Sequence, residues 1–219
     1  MGQEIDLLKN YPKAKRDVKA RAESKTEEDR KIARQFGRDF FDGDRKHGYG
    51  GYNYHPRFWQ PVVPDFQKFY NLGPGSLVLD IGCGKGFMLY DFQKAIPGLK
   101  VRGIDVSGYA IENSLADIKP ALQVADARSL PFEDDSFDLV ISINTVHNLE
   151  KEELALALKE IERVSRKDKF ITVDAYRNEA EKKLMLAWNL TARTIMHVDE
   201  WKAFFQEAGY QGDYYWFMP

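Results

Sequence analysis

Nine residues, Val78-Leu79-Asp80-Ile81-Gly82-Cys83-Gly84-Lys85-Gly86, constrain the fold of this chain more than any other stretch. An apolar run with one embedded acid leads into three alternate glycines. Glycine lets the backbone turn sharply and come close to a ligand with no Cβ in the way. A helix starting directly behind such a turn presents N–H groups that favour a carboxylate or phosphate. The residues beyond the turn give it a context. Apolar runs of strand length recur at 77–81, 101–105, 122–126, 138–143 and 169–176. Stretches with helical spacing, at 86–95, 108–118 and 151–165, lie between them. In the last, Leu154, Leu158, Ile161 and Val164 share one face. The glycine turn thus joins the first strand to the first helix of an alternating pattern.

Such alternation predicts an α/β fold: a Rossmann-like, doubly wound, mostly parallel sheet with helices on both faces. Two more helices are expected at 179–192 and 198–208, and a final strand over Gly212-Asp213-Tyr214-Tyr215-Trp216-Phe217. The expected division is 1–60 for an N-terminal charged arm, a helix and a lid segment, and 61–219 for the sheet domain. The arm carries seven bases between Lys9 and Lys25 (Lys9, Lys13, Lys15, Arg16, Lys19, Arg21, Lys25) against Asp17 and Glu23. A solvated arm is the plain reading, and a patch for an anionic partner the sharper one. Thr26 with Asp29, or Ser24 with Glu27, has capping-box spacing. Ile32, Phe36, Phe40 and Phe41 then predict one amphipathic helix over 27–42, stopped by Gly43.

Residues 47–59, HGYGGYNYHPRFW, read as a loop rich in glycine and aromatic rings. Tyrosines there can cover a ligand with an apolar ring and a hydroxyl tip. The alternative is a loop that packs on the core through those rings. A helix over 62–72 and the break Gly73-Pro74-Gly75 precede the first strand.

Composition removes several function classes. The chain has 219 residues, 43% apolar and 30% charged, as in ordinary globular proteins. No run approaches the roughly 18 apolar residues of a membrane span. The first 30 residues hold no apolar core of a signal peptide. Cys83 is the one cysteine, which rules out an intrachain disulfide or a cysteine-based metal cluster and points to a cytoplasmic protein. No metal site is expected. The net charge of −2 does not call for nucleic acid, although the basic arm keeps that partner in view.

Two further acids stand where a nucleoside needs them. Asp105 ends the second expected strand, about 20 residues past the glycines, the spacing of a ribose-binding acid. Asp126 ends the third. A lone strand-terminal Asp is most often a turn former or a helix cap. Three on consecutive strands, Asp80, Asp105 and Asp126, mark the edge where open α/β sheets bind ligands.

With VLDIGCGKG, GIDVS (103–107), ADARSLPFEDDSFDLVIS (125–142) and NTVHNL after the fourth strand, residues 70–176 resemble the class I S-adenosylmethionine (SAM)-dependent methyltransferases. The LPF-DDSFD-LV stretch is similar to the branch acting on small molecules and quinones. The resemblance implies SAM as cofactor and S-adenosylhomocysteine as product. It implies that Asp80 orients the glycine loop and the methionine amino group, and that Gly82, Gly84 and Gly86 pass beside methionine and ribose. It implies Asp105 on the ribose hydroxyls, Val106 on adenine, Asp126 and the Ala127 N–H at the adenine amino group, and Asn144 at the methionine end. A dinucleotide reading ranks below this one. Its turn is G-x-G-x-x-G, whereas here the glycines alternate, and a carboxylate just before the turn repels pyrophosphate but suits an ammonium.

His147 is the candidate general base, with a structural, loop-orienting histidine as the alternative. Tyr52 of the lid is the second candidate catalytic residue. His47, His55 and His197 are weaker, and His197 reads simply as a helix start with Asp199 and Glu200 behind it. Arg57 could hold an acidic acceptor or form a surface ion pair, and Trp188 and Arg193 lie where acceptor choice is often set. Expected partners are a small-molecule acceptor and no membrane, and a homo-oligomer is compatible with the sequence. A protein or nucleic-acid methyltransferase, and a SAM-binding protein with other chemistry, stand as the alternatives. Many amino-group nucleic-acid methyltransferases carry asparagine-proline-proline-aromatic after the fourth strand; here the chain reads Asn144-Thr145-Val146-His147. Only one strand fits after the last helix, whereas the family ends in an antiparallel pair.

Overall fold

In the computed structural model, which describes residues 2–12 and 25–218, the alternation becomes a sheet. Its strands are β1 (Leu77–Ile81), β2 (Lys100–Asp105), β3 (Leu122–Val124), β4 (Phe137–Ile143), β5 (Ser165–Tyr176), β6 (Met196–His197) and β7 (Asp213–Phe217). The order runs β3-β2-β1-β4-β5, and β7 lies beside β5, paired from Phe170↔Asp213 to Asp174↔Phe217. All these strand pairs are parallel. The two-residue β6 continues along the far end of β5, at Ala175 and Tyr176.

The chain winds outward from β1 to β3, returns, and winds the other way from β4. The reversal between β1 and β4 opens a crevice at the carboxyl ends of the strands, where open α/β sheets hold ligands.

Helices cover both faces because their apolar stripes need partners. On one face, Phe66 of α3 (Val63–Phe69) and Leu89 and Phe92 of α4 (Phe87–Ala95) pack against Val78, Leu139 and Phe170. On the other, the predicted stripe Leu154, Leu158, Ile161 and Val164 of α6 (Lys151–Val164) is wholly buried. It joins Trp201 and Phe205 of α8 (Val198–Ala208) in the second half of the core. The other α-helices among the described residues are α1 (Glu27–Ala33), α2 (Arg38–Asp42), α5 (Gly108–Glu112) and α7 (Glu179–Trp188).

Several expectations need correction. The helix expected over 27–42 is two helices. Phe36 adopts φ +48, outside the helical region, and Gly37 follows it, so α1 ends and α2 starts afresh. The capping box is Thr26 with Asp29; Ser24 and the arm residues 13–24 lie outside the described residues. The helix after β2 stops at Glu112 rather than 118, and α7 at Trp188 rather than 192. β3 stops at Val124, so Asp126 lies two residues beyond the strand end rather than on it.

One strand follows the last helix, as expected, but it runs parallel to β5. Its outer edge is covered from the other end of the chain. Ile5 donates its N–H to the Tyr214 carbonyl at 2.9 Å, and Tyr214 donates to Gln3 at 3.1 Å. This pairing satisfies an edge that would otherwise be open to other chains. Leu7 is buried in the core, so residues 2–11 pack on the sheet rather than apart from it.

Candidate functional site

β1 delivers the glycine turn to the crevice. The Gly82 and Cys83 N–H groups donate to the Ile104 carbonyl at 2.8 and 2.9 Å, which holds the turn against β2. Gly82 has φ +80, and a Cβ there would lie 2.2 Å from the Thr145 side chain. At Gly84, φ +55, a Cβ would come within 3.2 Å of the Tyr52 ring. Only glycine fits the turn between these walls. Gly86 starts α4, whose N-terminus lies behind the turn.

Asp80 is the most telling group. It is 5% exposed, and its carboxylate has no hydrogen-bond or ion-pair partner among the described residues. Burial, and then the neighbouring Asp105, push its pKa up to about 7. A buried carboxylate without donors is costly to ionise, and a bound cation removes that cost. Asp105 differs. Its Oδ2 accepts from the Gly84 N–H at 2.7 Å and its Oδ1 from the Ser107 N–H at 2.8 Å. It fixes both cleft loops and keeps further lone pairs on each oxygen. Burial still raises its pKa. Val106 beside it is 60% exposed and lines the cleft, an apolar side chain open to it.

Asp126 lines the cleft but is engaged: it accepts from the Arg128 guanidinium on both oxygens and from the Arg128 N–H at 2.9 Å. Those bonds hold its pKa below the ordinary carboxylate range. Arg128 also pairs with Glu153. Ala127 lines the cleft between them.

Asn144 follows β4 in a left-handed conformation, φ +52, which Asn tolerates better than most residues. Thr172 holds it there. The Asn144 N–H donates to Thr172 Oγ1 at 2.8 Å, and that hydroxyl donates to Asn144 Oδ1 at 2.8 Å.

Neither candidate catalytic residue offers a free base. His147 is buried, and its Nδ1 accepts from the Asp174 N–H at 2.9 Å, which puts the ring proton on Nε2. Burial keeps the ring neutral against the opposing pull of Asp174. Its carbonyl accepts from the Arg193 and Thr194 N–H groups, each at 3.0 Å. Tyr52 stacks on Phe87 at 5.0 Å and packs on Tyr49 at 4.3 Å. Its phenol is pushed well above its ordinary pKa, chiefly by burial, and stays protonated.

The 47–59 segment has no helix or strand and covers the glycine turn. Phe36, Phe40, Phe41, Tyr49 and Tyr52 form a run of touching rings above it. Tyr54 donates to Asp91 at 2.7 Å and anchors the lid to α4; its own pKa rises to about 12, first through burial and then through Asp91. Of the other histidines, His47 meets Asp29 at 3.0 Å and His197 caps α8, as its acidic first turn predicts, whereas His55 lines the outer cleft with its Nδ1 accepting from the Arg57 N–H at 3.2 Å. Arg57 is exposed over the Phe58 ring, Arg193 pairs with Glu150, and Trp188 lines the cleft.

The cleft encloses about 1620 Å³ and runs from the glycine turn past His147 to Trp188 and Phe217. Asn148 Oδ1, in its wall, is a buried acceptor without a hydrogen-bond partner among the described residues. A smaller hollow of about 410 Å³, between Lys151 of α6 and Glu200 of α8, lies apart from this chemistry. Among the described residues no group of three His, Cys, Asp or Glu side chains is placed to hold a metal ion. No helix among them is long and apolar enough to cross a membrane.

Sequence reasoning missed three contributors. Thr145 closes the turn against Gly82, and Asp42 and Tyr109 join the lid to the cleft loops. Asp42 at a helix end gave no local signal, because its partners lie 10 to 67 residues away.

Residues 79–173 match the family described as a methyltransferase domain. The mouse protein named arginine-hydroxylase NDUFAF5, mitochondrial, is 37% identical over 93 residues, 42% of this chain and 26% of its own length. The mouse probable tRNA methyltransferase 9B is 39% identical over 92 residues, 42% of this chain and 20% of its own. The chain thus spans about a quarter or less of these relatives. Among solved structures, a Haemonchus contortus phosphoethanolamine N-methyltransferase in complex with S-adenosylhomocysteine superposes with a TM-score of 0.58 at 20% identity. That match covers 81% of this chain and 44% of the other, and it shows the fold.

Proposed function

We propose that this chain, which matches a methyltransferase-domain family over residues 79–173, moves a methyl group from SAM to a small-molecule acceptor. The observation that carries the reading is Asp80, a buried carboxylate with no donor of its own beside a glycine turn. A pyrophosphate would deepen its electrostatic cost, whereas an ammonium relieves it. The other residues fit the same ligand. Asp105 has lone pairs left for ribose hydroxyls, and Val106 offers an apolar face for a base. Asp126 stands at the adenine end, where an amino group would share it with Arg128, and the Ala127 N–H lies beside it. Gly82, Gly84 and Asn144 line the methionine end.

Bound SAM supplies a methyl carbon on a sulfonium, a good leaving group, so the chain's main task is alignment. Tyr52 and its aromatic neighbours exclude water above the glycine turn. His147, with its Nδ1 lone pair committed to Asp174, positions the loop after β4 and offers Nε2–H as a donor rather than a base. Asn148 Oδ1, a buried hydrogen-bond acceptor without a partner among the described residues, would take an O–H or N–H of the methyl acceptor on a small side-chain shift. The cleft is larger than one nucleoside ligand needs, and this leaves room for a second small molecule under the lid.

A second reading has support of its own. A relative at 37% identity is named a hydroxylase, so the same cleft can belong to a protein with other chemistry. The relative named a tRNA methyltransferase bears on the acceptor, which nucleic acid could supply. One experiment separates the three. SAM is incubated with the chain and either a small-metabolite pool or bulk tRNA, and both the acceptor and the nucleoside product are identified by mass spectrometry. S-adenosylhomocysteine with a methylated small molecule supports the proposal. Methylated tRNA redirects it, and product without S-adenosylhomocysteine defeats it.

A further inference from the structure

We propose that Asp42 is the positioning residue that couples lid closure to the cofactor cleft. The inference rests on the reading of that cleft as a SAM site. Asp42 ends α2, just ahead of the lid. Its carboxylate gathers donors from three separate parts of the site. Oδ2 accepts from Lys85 Nζ at 2.7 Å and from the Tyr109 hydroxyl at 2.7 Å. Oδ1 accepts from the Tyr52 N–H at 2.8 Å. Lys85 stands between Gly84 and Gly86 in the turn. Tyr109 is on α5, three residues past Val106. Tyr52 is the lid residue whose ring lies over Gly84. One side chain therefore ties the lid to both loops that would hold the nucleoside.

The tie is charged where it matters. Lys85 is 4% exposed, and Asp42 is its one carboxylate partner among the described residues. A buried ammonium needs a paired and hydrogen-bonded counter-charge. Burial works against ionised Asp42, but its three donors outweigh it and hold its pKa below the ordinary range. Lifting α2 and the lid would part Lys85 from that charge and release Tyr109. An ordered glycine turn, in the other direction, holds Lys85 where α2 and the lid must meet it. Linkage makes the effect reciprocal: a ligand that orders the turn also favours the closed lid.

The test is hydrogen exchange on the full chain, with and without saturating S-adenosylhomocysteine, for the parent, Asp42→Asn and Tyr109→Phe. In the parent, ligand slows exchange at both 80–89 and 47–59. In Asp42→Asn, slowing at 80–89 remains and slowing at 47–59 is lost, with ligand affinity down on the order of tenfold. A merely structural Asp42 would loosen both segments together, ligand or not, and that outcome overturns the proposal. So does undiminished protection of 47–59 in Asp42→Asn. If Asp42→Asn does not fold, Tyr109→Phe removes a single hydroxyl and decides instead: reduced protection at 47–59 supports the coupling, unchanged protection refutes it. A parent with no slowing at 80–89 refutes the SAM reading itself, and the coupling with it.

Discussion

Asp80→Asn should make the ligand-free protein more stable while costing it its ligand. The folded chain keeps the Asp80 proton up to about pH 7, whereas an ordinary carboxyl releases it near 3.8. Between those values the folded state binds more protons than the unfolded one, so this group lowers stability as pH rises through that window. At roughly 1.36 kcal/mol per pH unit, the full penalty above pH 7 is about 4 kcal/mol. Asn keeps the shape and cannot ionise. At pH 8 a gain of about 1–3 kcal/mol is expected once the roughly 1–3 kcal/mol cost of an unpaired buried amide is set against it. For a chain of this length that is a rise in Tm of roughly 2–12 °C. At pH 4, where folded Asp80 is protonated, the gain is absent and the variant should be no more stable than the parent. Differential scanning calorimetry from pH 4 to pH 8 reads the widening gap directly. An Asp80→Asn variant that is equally or less stable at pH 8 would refute the claim that Asp80 is a buried, uncompensated charge.

Asp105→Ala should weaken S-adenosylhomocysteine more than Asp126→Ala by calorimetry, because Asp105 holds the Gly84 and Ser107 amides in place and Asp126 is already shared with Arg128. Equal losses would remove Asp105 from the ribose. Gly82→Ala should abolish ligand binding, since its Cβ would meet Thr145 at 2.2 Å, while Gly209→Ala, also at positive φ but with nothing within 4 Å, should cost only about 1 kcal/mol in chemical denaturation. Tyr52→Leu should lower turnover more than it lowers Tm, because it opens the cleft while keeping an apolar side chain against Phe87. A Tm loss that alone accounts for the lost activity would assign Tyr52 to packing.

Much of the sheet and the cofactor half was legible because their signals are local. The glycine turn, the strand runs and the α6 stripe each carry their own periodicity, and every residue of that stripe is buried. The break at Phe36 was not legible: the apolar spacing continues across it, and only the backbone, at φ +48, departs. The covering of β7 by residues 3–5 was equally hidden, since no pattern in the first residues names a partner more than 200 positions away. At the site, Asp80, Asp105 and Val106 line the cleft. The state of His147 was out of reach, because its tautomer is set by the Asp174 amide, 27 residues on.

The central claim, that the crevice is a SAM site built on an uncompensated Asp80, is tested most directly by titrating S-adenosylhomocysteine into ligand-free protein at pH 8 and pH 6, with NAD as the comparison. A cationic ammonium requires ionised Asp80, and a pKa near 7 leaves about nine-tenths of it ionised at pH 8 and one-tenth at pH 6. The account predicts S-adenosylhomocysteine binding about tenfold tighter at pH 8, with proton release on binding near pH 7, and no measurable heat from NAD. Binding of NAD without S-adenosylhomocysteine, or S-adenosylhomocysteine affinity indifferent to pH across this range, would contradict it.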